Sequence, residues 1–507
     1  MANPLFDRVM AGSPDAVAVE TDERRYTYAD LERETARLAN ALVALGVAPG
    51  DRVAACVEKS AANLILYLAA VRAGAVWLPL NPAYTTSELA YFIADAGPAL
   101  IVCDPAAEMA MTAIAGDGRV ATLDAGGQGS VTDLAASRSD GFATVAQRPQ
   151  DLAAICYTSG TTGRSKGAML SQGNLFANAL TLKELWRFTP GDRLIHALPL
   201  YHVHGLFVAS HVVLMAGASM VLQPRFDAGA VLAAMPDATC LMGVPTFYTR
   251  LLAHSGLTRE AVAGMRLFIS GSAPLLASIH HAWRRRTGHA ILERYGLTET
   301  GMDASNPYEG ERIAGTVGPP LPDVCLRIAD PENGQALPRG EIGGVEVKGP
   351  NVFCGYWQAP EKTAQAFRRD GFFITGDLGV IDERGYLSIV GRDKDLIITG
   401  GLNVYPREVE AVIDALPGVV ESAVIGLEHA DLGEAVTAVV AVGSGPAPAE
   451  GELLAAVKPG LAGYKQPKRA VFVEALPRNA MGKVQKTELR RRFAQLYRDV
   501  KASERRL

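Results

Sequence analysis

A chain of 507 residues exceeds what one hydrophobic core usually organises and predicts about two to four domains. Hydrophobic residues at 49% and charged residues at 20% are ordinary globular proportions, which excludes disordered, collagenous and coiled-coil readings. A formal net charge of -5 provides no broad positive field for a nucleic-acid backbone, and the basic run of Arg490, Arg491, Arg492, Arg505 and Arg506 reads as a solvated helix face.

The N-terminal part alternates strand and helix signals. Residues 53–57 read as extended, Ser60 as a helix cap, 61–72 as an apolar helix, and Gly74 as its stop before a second strand at 76–80. Similar units recur at 86–103 and from 205 to 294, where short strands such as 239–242 and 266–269 separate helical runs in the order of an α/β domain. Between 106 and 150 the composition drifts to Ala, Gly, Ser and Asp, and the pattern is weakest. From 194 to 224 there is no Lys, Arg, Asp or Glu, a run long enough by count to span a bilayer. Pro199, His202, His204, His211 and Gly217 interrupt it, and histidines are costly in lipid, so a buried strand, loop, helix and strand are expected.

From 311 to 390 the short strands are punctuated by Gly and Pro and end in a hairpin around Asp382, Glu383, Arg384 and Gly385, which predicts a β-rich subdomain. Beyond Gly391 the alternation restarts on a smaller scale, with helices at 406–416, 450–457 and 486–501 and strands at 419–427 and 435–442. The expected architecture is α/β, with a large N-terminal domain over 1–392 and a small α+β domain over 393–507. Six cysteines are widely spaced with no Cys-x-x-Cys pair, so neither a zinc site nor a disulfide framework is signalled. The opening MANPLFDRVM lacks the layout of an export signal, and a cytoplasmic location is expected.

The first chemical signal is Tyr157-Thr158-Ser159-Gly160-Thr161-Thr162-Gly163-Arg164-Ser165-Lys166-Gly167, after the apolar run 152–156. Glycines let the backbone approach a polyphosphate, hydroxyls and amides donate to its oxygens, and a lysine neutralises charge. It is not a Walker loop, because Lys166 lies six residues after Gly160 and is followed by Gly167. A flexible linker has a similar composition; the lysine and the strand before it favour the phosphate loop.

This loop resembles the signature of the adenylate-forming superfamily, which holds acyl-CoA synthetases, beetle luciferases and the adenylation domains of peptide synthetases. The remaining signatures follow in order as Tyr295-Gly296-Leu297-Thr298-Glu299, Thr375-Gly376-Asp377, Gly391-Arg392-Asp393-Lys394-Asp395 and Pro477-Arg478-Asn479-Ala480-Met481-Gly482-Lys483, and the likeness runs from about Thr27 to Leu489. It implies ATP with Mg2+ and coenzyme A. Thr158, Ser159, Gly160, Thr161, Thr162, Gly163 and Lys166 would hold the phosphates, and Ser272, Ala273 and Pro274 would wall one side of adenine. Tyr295, flanked by Gly296, would stack on the base, Thr298 would meet the α-phosphate, and Glu299 with Thr162 would face the metal. Asp377, assisted by Arg392, would accept the ribose hydroxyls.

Lys483 matches the adenylation lysine. When a carboxylate attacks the α-phosphorus two anions meet, and a mobile cation placed there lowers the barrier. Lys394 matches the hinge about which a mobile C-terminal domain would swing, withdrawing Lys483 and presenting Gly400 and Gly401 to coenzyme A. The same likeness implies a lysine acyltransferase and a deacetylase acting on Lys483.

Arg294 stands where many relatives carry a small or neutral residue. A guanidinium beside the acyl site implies an acid with a second negative charge, which it can hold bidentately; the alternative is an arginine turned away into a structural ion pair. The segments His202-Val203-His204-Gly205, Val244-Pro245-Thr246-Phe247-Tyr248-Thr249-Arg250 and Leu292-Glu293-Arg294 are similar to malonyl-CoA synthetases. That likeness implies a catalytic, gating His202, with His204, Arg250, Ser270, Gly271 and Arg294 around the acid. Malonate is the expected acid, with methylmalonate close behind, since one methyl is discriminated by only about 1–3 kcal/mol. Another short or medium acid, or a stand-alone enzyme loading a carrier protein, is the alternative. A luciferase-type pocket is opposed by Arg294, and a non-catalytic module by the presence of Lys483 and Glu299.

Overall fold

The computed structural model describes residues 3–116, 118–158, 165–443, 448–479 and 482–497. The strand-helix alternation of the first part builds two sheets. One has eight strands in the order Ala304–Ser305, Leu292–Tyr295, Leu267–Ser270, Cys240–Gly243, Arg193–His196, Ser219–Leu222, Val17–Glu20 and Arg25–Thr27. Its inner pairings are parallel and its two edge pairings antiparallel. The other has six, in the order Arg119–Thr122, Leu100–Cys103, Arg52–Cys56, Val76–Pro79, Leu152–Thr158 and Lys166–Ser171, and only its last pair is antiparallel. Parallel strands need cover on both faces, and Leu100–Cys103, Cys240–Gly243 and Leu267–Ser270 are buried at every residue.

Part of that cover is a pair of helices unusually apolar all round, the pattern of core helices. Helix Ala61–Arg72, capped by Ser60 as expected, is buried at every residue but Ala62. It meets the charge-free stretch, which folds as strand Arg193–His196, π-helix His204–Ser210, helix His211–Met215 and strand Ser219–Leu222. Tyr67 and His211 Nε2 share a hydrogen bond of 2.8 Å across this contact, and Phe207 packs on the same tyrosine with ring centres 5.8 Å apart. The stretch is therefore core, and no helix among the described residues is long and apolar enough to cross a membrane.

The weakly patterned region 106–150 supplies helix Glu108–Ala115, strand Arg119–Thr122 and helix Ser130–Ala136, completing one edge of the six-stranded sheet. The β-rich subdomain is a four-stranded antiparallel sheet of Cys325–Ala329, Gly343–Lys348, Phe373–Ile381 and Leu387–Arg392. Its last hairpin turns at Asp382 and Gly385, where a positive φ of 86° suits glycine.

A single turn, Asp393–Asp395, leads to the last sheet, ordered Leu402–Val404, Ile397–Thr399, Gly433–Val442 and Val419–His429, with Arg469–Val473 parallel to Gly433–Val442. Helices Pro406–Asp414 and Glu450–Val457 fall where expected. The terminal helix is Lys486–Phe493, shorter than the expected 486–501, whose last four positions lie outside the described residues. The whole is an α/β fold with a large N-terminal and a small C-terminal domain.

Candidate active site

The carboxyl ends of Arg193–His196, Cys240–Gly243, Leu267–Ser270 and Leu292–Tyr295 lie side by side, the crevice where open α/β sheets receive ligands. The chain leaving Leu292–Tyr295 carries Gly296, where an added Cβ would lie 1.9 Å from the Gly301 carbonyl oxygen; only glycine allows the 296–301 loop to fold back so tightly.

On one side of the crevice Tyr295, Asp377 and Arg392 form a cluster. The pairing of Phe373–Ile381 with Leu387–Arg392 sets Asp377 opposite Arg392, whose Nε donates to Asp377 Oδ1 at 2.6 Å. The Tyr295 hydroxyl donates to Oδ2 at 2.5 Å. Two donors do not exhaust a carboxylate, so Asp377 keeps acceptor capacity for a diol. Burial, then the Asp377 and Asp303 carboxylates, push the Tyr295 pKa well up and keep its phenol protonated.

Nearby, Glu299 Oε1 accepts from the Tyr356 hydroxyl at 3.1 Å and from Thr158 Oγ1 at 3.4 Å, and the Lys166 ammonium lies over the Tyr356 ring, 4.8 Å from its centre. Thr298 is half-buried beside Glu299. Ser159, Gly160, Thr161, Thr162 and Gly163, the expected phosphate contacts, lie outside the described residues. No cluster of three acidic, histidine or cysteine side chains able to cage a metal occurs among the described residues. Magnesium needs none, since it takes one or two carboxylates beside substrate phosphates and water. Glu299, a half-buried carboxylate whose partners are hydroxyls, fits that role.

The other side is the candidate acyl pocket. Arg294 is buried, its Nε and one terminal nitrogen without a hydrogen-bond partner among the described residues. It packs against Gly271, where an added Cβ would fall 2.4 Å from the guanidinium carbon. Burial, opposed by Tyr248, pushes Arg294 down to about 9. The expected alternative, a structural ion pair, is not what the described residues form. Among the described residues the buried His204 Nε2 is orphaned as well, while His204 Nδ1 lies 3.2 Å from Ser272 Oγ. Ser272, expected on the adenine wall, thus turns its hydroxyl toward the acyl histidine and holds a left-handed φ of 68° to do so. Ala273 is half-buried and Pro274 exposed beside it. Ser270 is a correction: it is paired with Glu293 across the sheet, so its hydroxyl lies on the Glu293 face and not beside Arg294.

His202 accepts from the His204 amide through Nδ1 at 3.3 Å, and burial, then Lys483, then Arg294 push its pKa down to about 3, so the ring is neutral. Arg250 is a correction: it is exposed near the end of helix Pro245–Ala253. Tyr248, two positions earlier, turns inward to the Ile269 carbonyl at 2.6 Å, and a two-residue step of about 200° puts Arg250 on the opposite face.

Lys483 reaches this crevice from the small domain. Its turn, with Gly482 at φ 74°, approaches the large domain at Thr246, 3.5 Å from a Cβ built on Gly482. The side chain stays open to solvent through the cleft, yet the surrounding protein desolvates it. That desolvation and Arg392 hold its ammonium below the usual lysine range, Asp377 and Glu299 pull it up, and Arg294 again lowers it. Lys394 is exposed in the single turn between the domains; Arg392 is anchored before it by Asp377, and Asp395 after it by Arg490 at 2.7 Å. Gly400 and Gly401, with φ of 57° and 79°, form the tip of the hairpin Ile397–Thr399 and Leu402–Val404 and are exposed. Tyr356, the partner of Glu299, carries no motif of its own and was not legible as a site residue.

A crevice at the strand ends, a tyrosine-aspartate-arginine cluster and a lysine delivered by a second domain define an adenylating enzyme, and the chain belongs to the AMP-binding enzyme family. That family's model matches residues 6–357, and the model of the AMP-binding enzyme C-terminal domain matches 408–483. By class it is an AMP-forming acid–thiol ligase. Among its relatives, the ATP-bound crystal structure of MatB from Rhodopseudomonas palustris is 58% identical, covers 98% of this chain and all of that one, and superposes with a TM-score of 0.96. Apo MatB, at the same identity and coverage, gives 0.85, so this chain's conformation is nearer the ATP-bound one. A feruloyl-CoA synthase of Amycolatopsis sp is 38% identical over 95% of this chain and 96% of its own. A malonate–CoA ligase of Arabidopsis thaliana is 34% identical over 95% of this chain and 87% of its own.

Proposed function

We propose that this chain joins malonate to coenzyme A, with ATP converted to AMP and pyrophosphate. The observation that carries the reading is the buried Arg294, unpaired among the described residues, with His204, its Nε2 likewise orphaned, within its electrostatic reach. A buried charge without a partner costs several kcal/mol, and a second carboxylate on the acid removes that cost. The Arabidopsis malonate–CoA ligase and the similarity to MatB support the same reading.

Malonate would place its distal carboxylate on Arg294 and His204 and its reacting carboxylate toward Lys483. The reacting oxygen bonds to the α-phosphorus as the bond to pyrophosphate breaks, and Lys483 offsets the charge gathering between them. Neutral His202 lies within the electrostatic reach of Lys483 and Arg294 without adding a third cation. The small domain then withdraws Lys483 and brings the Gly400–Gly401 tip inward; the thiol of coenzyme A, losing its proton, attacks the acyl carbon and AMP leaves. Magnesium, held by Glu299 and the nucleotide, would supply charge neutralisation of the phosphates. Methylmalonate is the second acid expected to react, since the discriminating increment is about 1–3 kcal/mol.

AMP release with malonate, methylmalonate, acetate and octanoate tests the reading. Malonate is expected to give the highest kcat/KM, and preference for acetate or octanoate contradicts it. Lys483 is solvent-accessible with an ammonium held below its usual range, which suits acylation by a cytoplasmic lysine acyltransferase and reversal by a deacetylase. Mass spectrometry of the protein from its cells is expected to find an acylated Lys483 peptide; only unmodified peptide contradicts the idea.

A further inference from the structure

Lys59 is a buried lysine that none of the chemistry above employs. It lies just after strand Arg52–Cys56 of the six-stranded sheet and just before the Ser60 cap of helix Ala61–Arg72. Its Nζ reaches the other sheet, donating to the His196 carbonyl at 2.6 Å and facing His196 Nδ1 at 3.1 Å. Among the described residues it has no carboxylate partner; burial alone pushes its pKa well down. An ammonium and a neutral amine both retain enough hydrogens for these two bonds.

The Gly205 carbonyl beside His196 Nε2 can only accept, so the ring's hydrogen sits on Nε2 and Nδ1 is left to accept from Lys59. Nε2 faces the Gly205 carbonyl at 2.9 Å and Ser210 Oγ at 3.2 Å, and the Ser210 hydroxyl donates to the same carbonyl at 3.0 Å. Gly205 and Ser210 belong to the π-helix His204–Ser210, a geometry uncommon in proteins and frequent at functional sites. The first residue of that π-helix is His204, whose orphaned Nε2 lies in the acyl pocket.

We infer that Lys59 is a positioning residue for the acid: through His196 it clamps the Gly205 carbonyl, holds the π-helix in register and so fixes His204 toward the distal carboxylate without touching it. The inference rests on the malonate reading. Its consequence is a defect greatest for the second charge of the acid: among the described residues no hydrogen bond joins the Tyr295, Asp377 and Arg392 cluster to the π-helix, and the link to the expected adenine wall is His204 Nδ1 to Ser272 Oγ.

Steady-state AMP release by the purified full chain tests it, with ATP, malonate and isovalerate varied in turn; isovalerate replaces the distal carboxylate by an uncharged branch of similar shape. Lys59→Met is expected to raise the malonate KM about tenfold or more while the ATP KM and the isovalerate kcat/KM stay within about twofold. Lys59→Gln, which keeps two N–H hydrogens, is expected to recover most of the malonate KM. An unchanged malonate KM in Lys59→Met, or an equal loss for ATP, malonate and isovalerate, overturns the inference. If Lys59→Met does not fold, Ser210→Ala serves, since it removes the second donor on Gly205: a malonate-specific rise in KM is expected, and no change overturns the inference. A native enzyme without preference for malonate over isovalerate would instead sink the malonate reading, and the inference with it.

Discussion

Glu293 and Arg294 are neighbours in sequence with opposite tasks. Successive side chains of a strand point to opposite faces, so with Arg294 in the acyl pocket Glu293 faces helix Ala277–Thr287, where its carboxylate lies 3.8 Å from His280 Nδ1 and 3.4 Å from the Gly315 amide. Burial, opposed by the Gly315 amide and Arg407, pushes Glu293 from its ordinary 4.5 up to about 8. An acid whose folded pKa is raised stays protonated while the unfolded chain ionises, so its contribution to stability falls as pH rises from about 4.5 to about 8 and is level above that. Glu293→Gln removes this loss and keeps an oxygen for the Gly315 amide. Melting curves are expected to show the variant gaining on the native chain between pH 5 and pH 8. Parallel curves across that range contradict the assignment of Glu293 as a buried neutral acid.

Elements whose stability is local were legible in the sequence. The Ser60 cap, the apolar run to Arg72 and the strand after Gly74 fold as read, because capping, periodicity and a glycine stop act within a few residues of one another. Strands Ile397–Thr399, Leu402–Val404 and Arg469–Val473 were not read: the first two are three-residue arms on a Gly-Gly tip, and the last is ordered by its parallel neighbour Gly433–Val442. The site divides in the same way. Motif residues such as Asp377, Arg392 and Glu299 announce themselves, and Arg294 stands out as a charge where many relatives carry a small or neutral residue. Tyr356 and the Lys59–His196 pair are joined to their partners only by tertiary folding, 57 and 137 positions apart, and no spacing rule reaches them. Arg250 failed for a helical reason: it shares a helix with Tyr248 but not a face.

At the scale of the whole molecule, the two proposed half-reactions would share the one crevice that the large and small domains face. The chain matches the ATP-bound form of MatB better than the apo form, and in this arrangement Lys483 lies within the electrostatic reach of Asp377, Glu299 and Arg294. Arg392 is paired with Asp377 and Asp395 with Arg490, so the rotation proposed for the small domain would be confined to the short turn carrying Lys394. If Lys483 acts only in the first arrangement, Lys483→Ala is expected to slow adenylate formation by about a hundredfold or more while thioester formation from supplied malonyl-adenylate stays near the native rate. Equal loss of both steps contradicts the division of labour. The malonate assignment itself rests on Arg294, and its most direct test is the ratio of kcat/KM for malonate to that for isovalerate in the native chain and in Arg294→Leu. The native ratio is expected to favour malonate by about a hundredfold or more and to collapse or invert in the variant; a variant that keeps the native preference, or a native chain that prefers isovalerate, contradicts it.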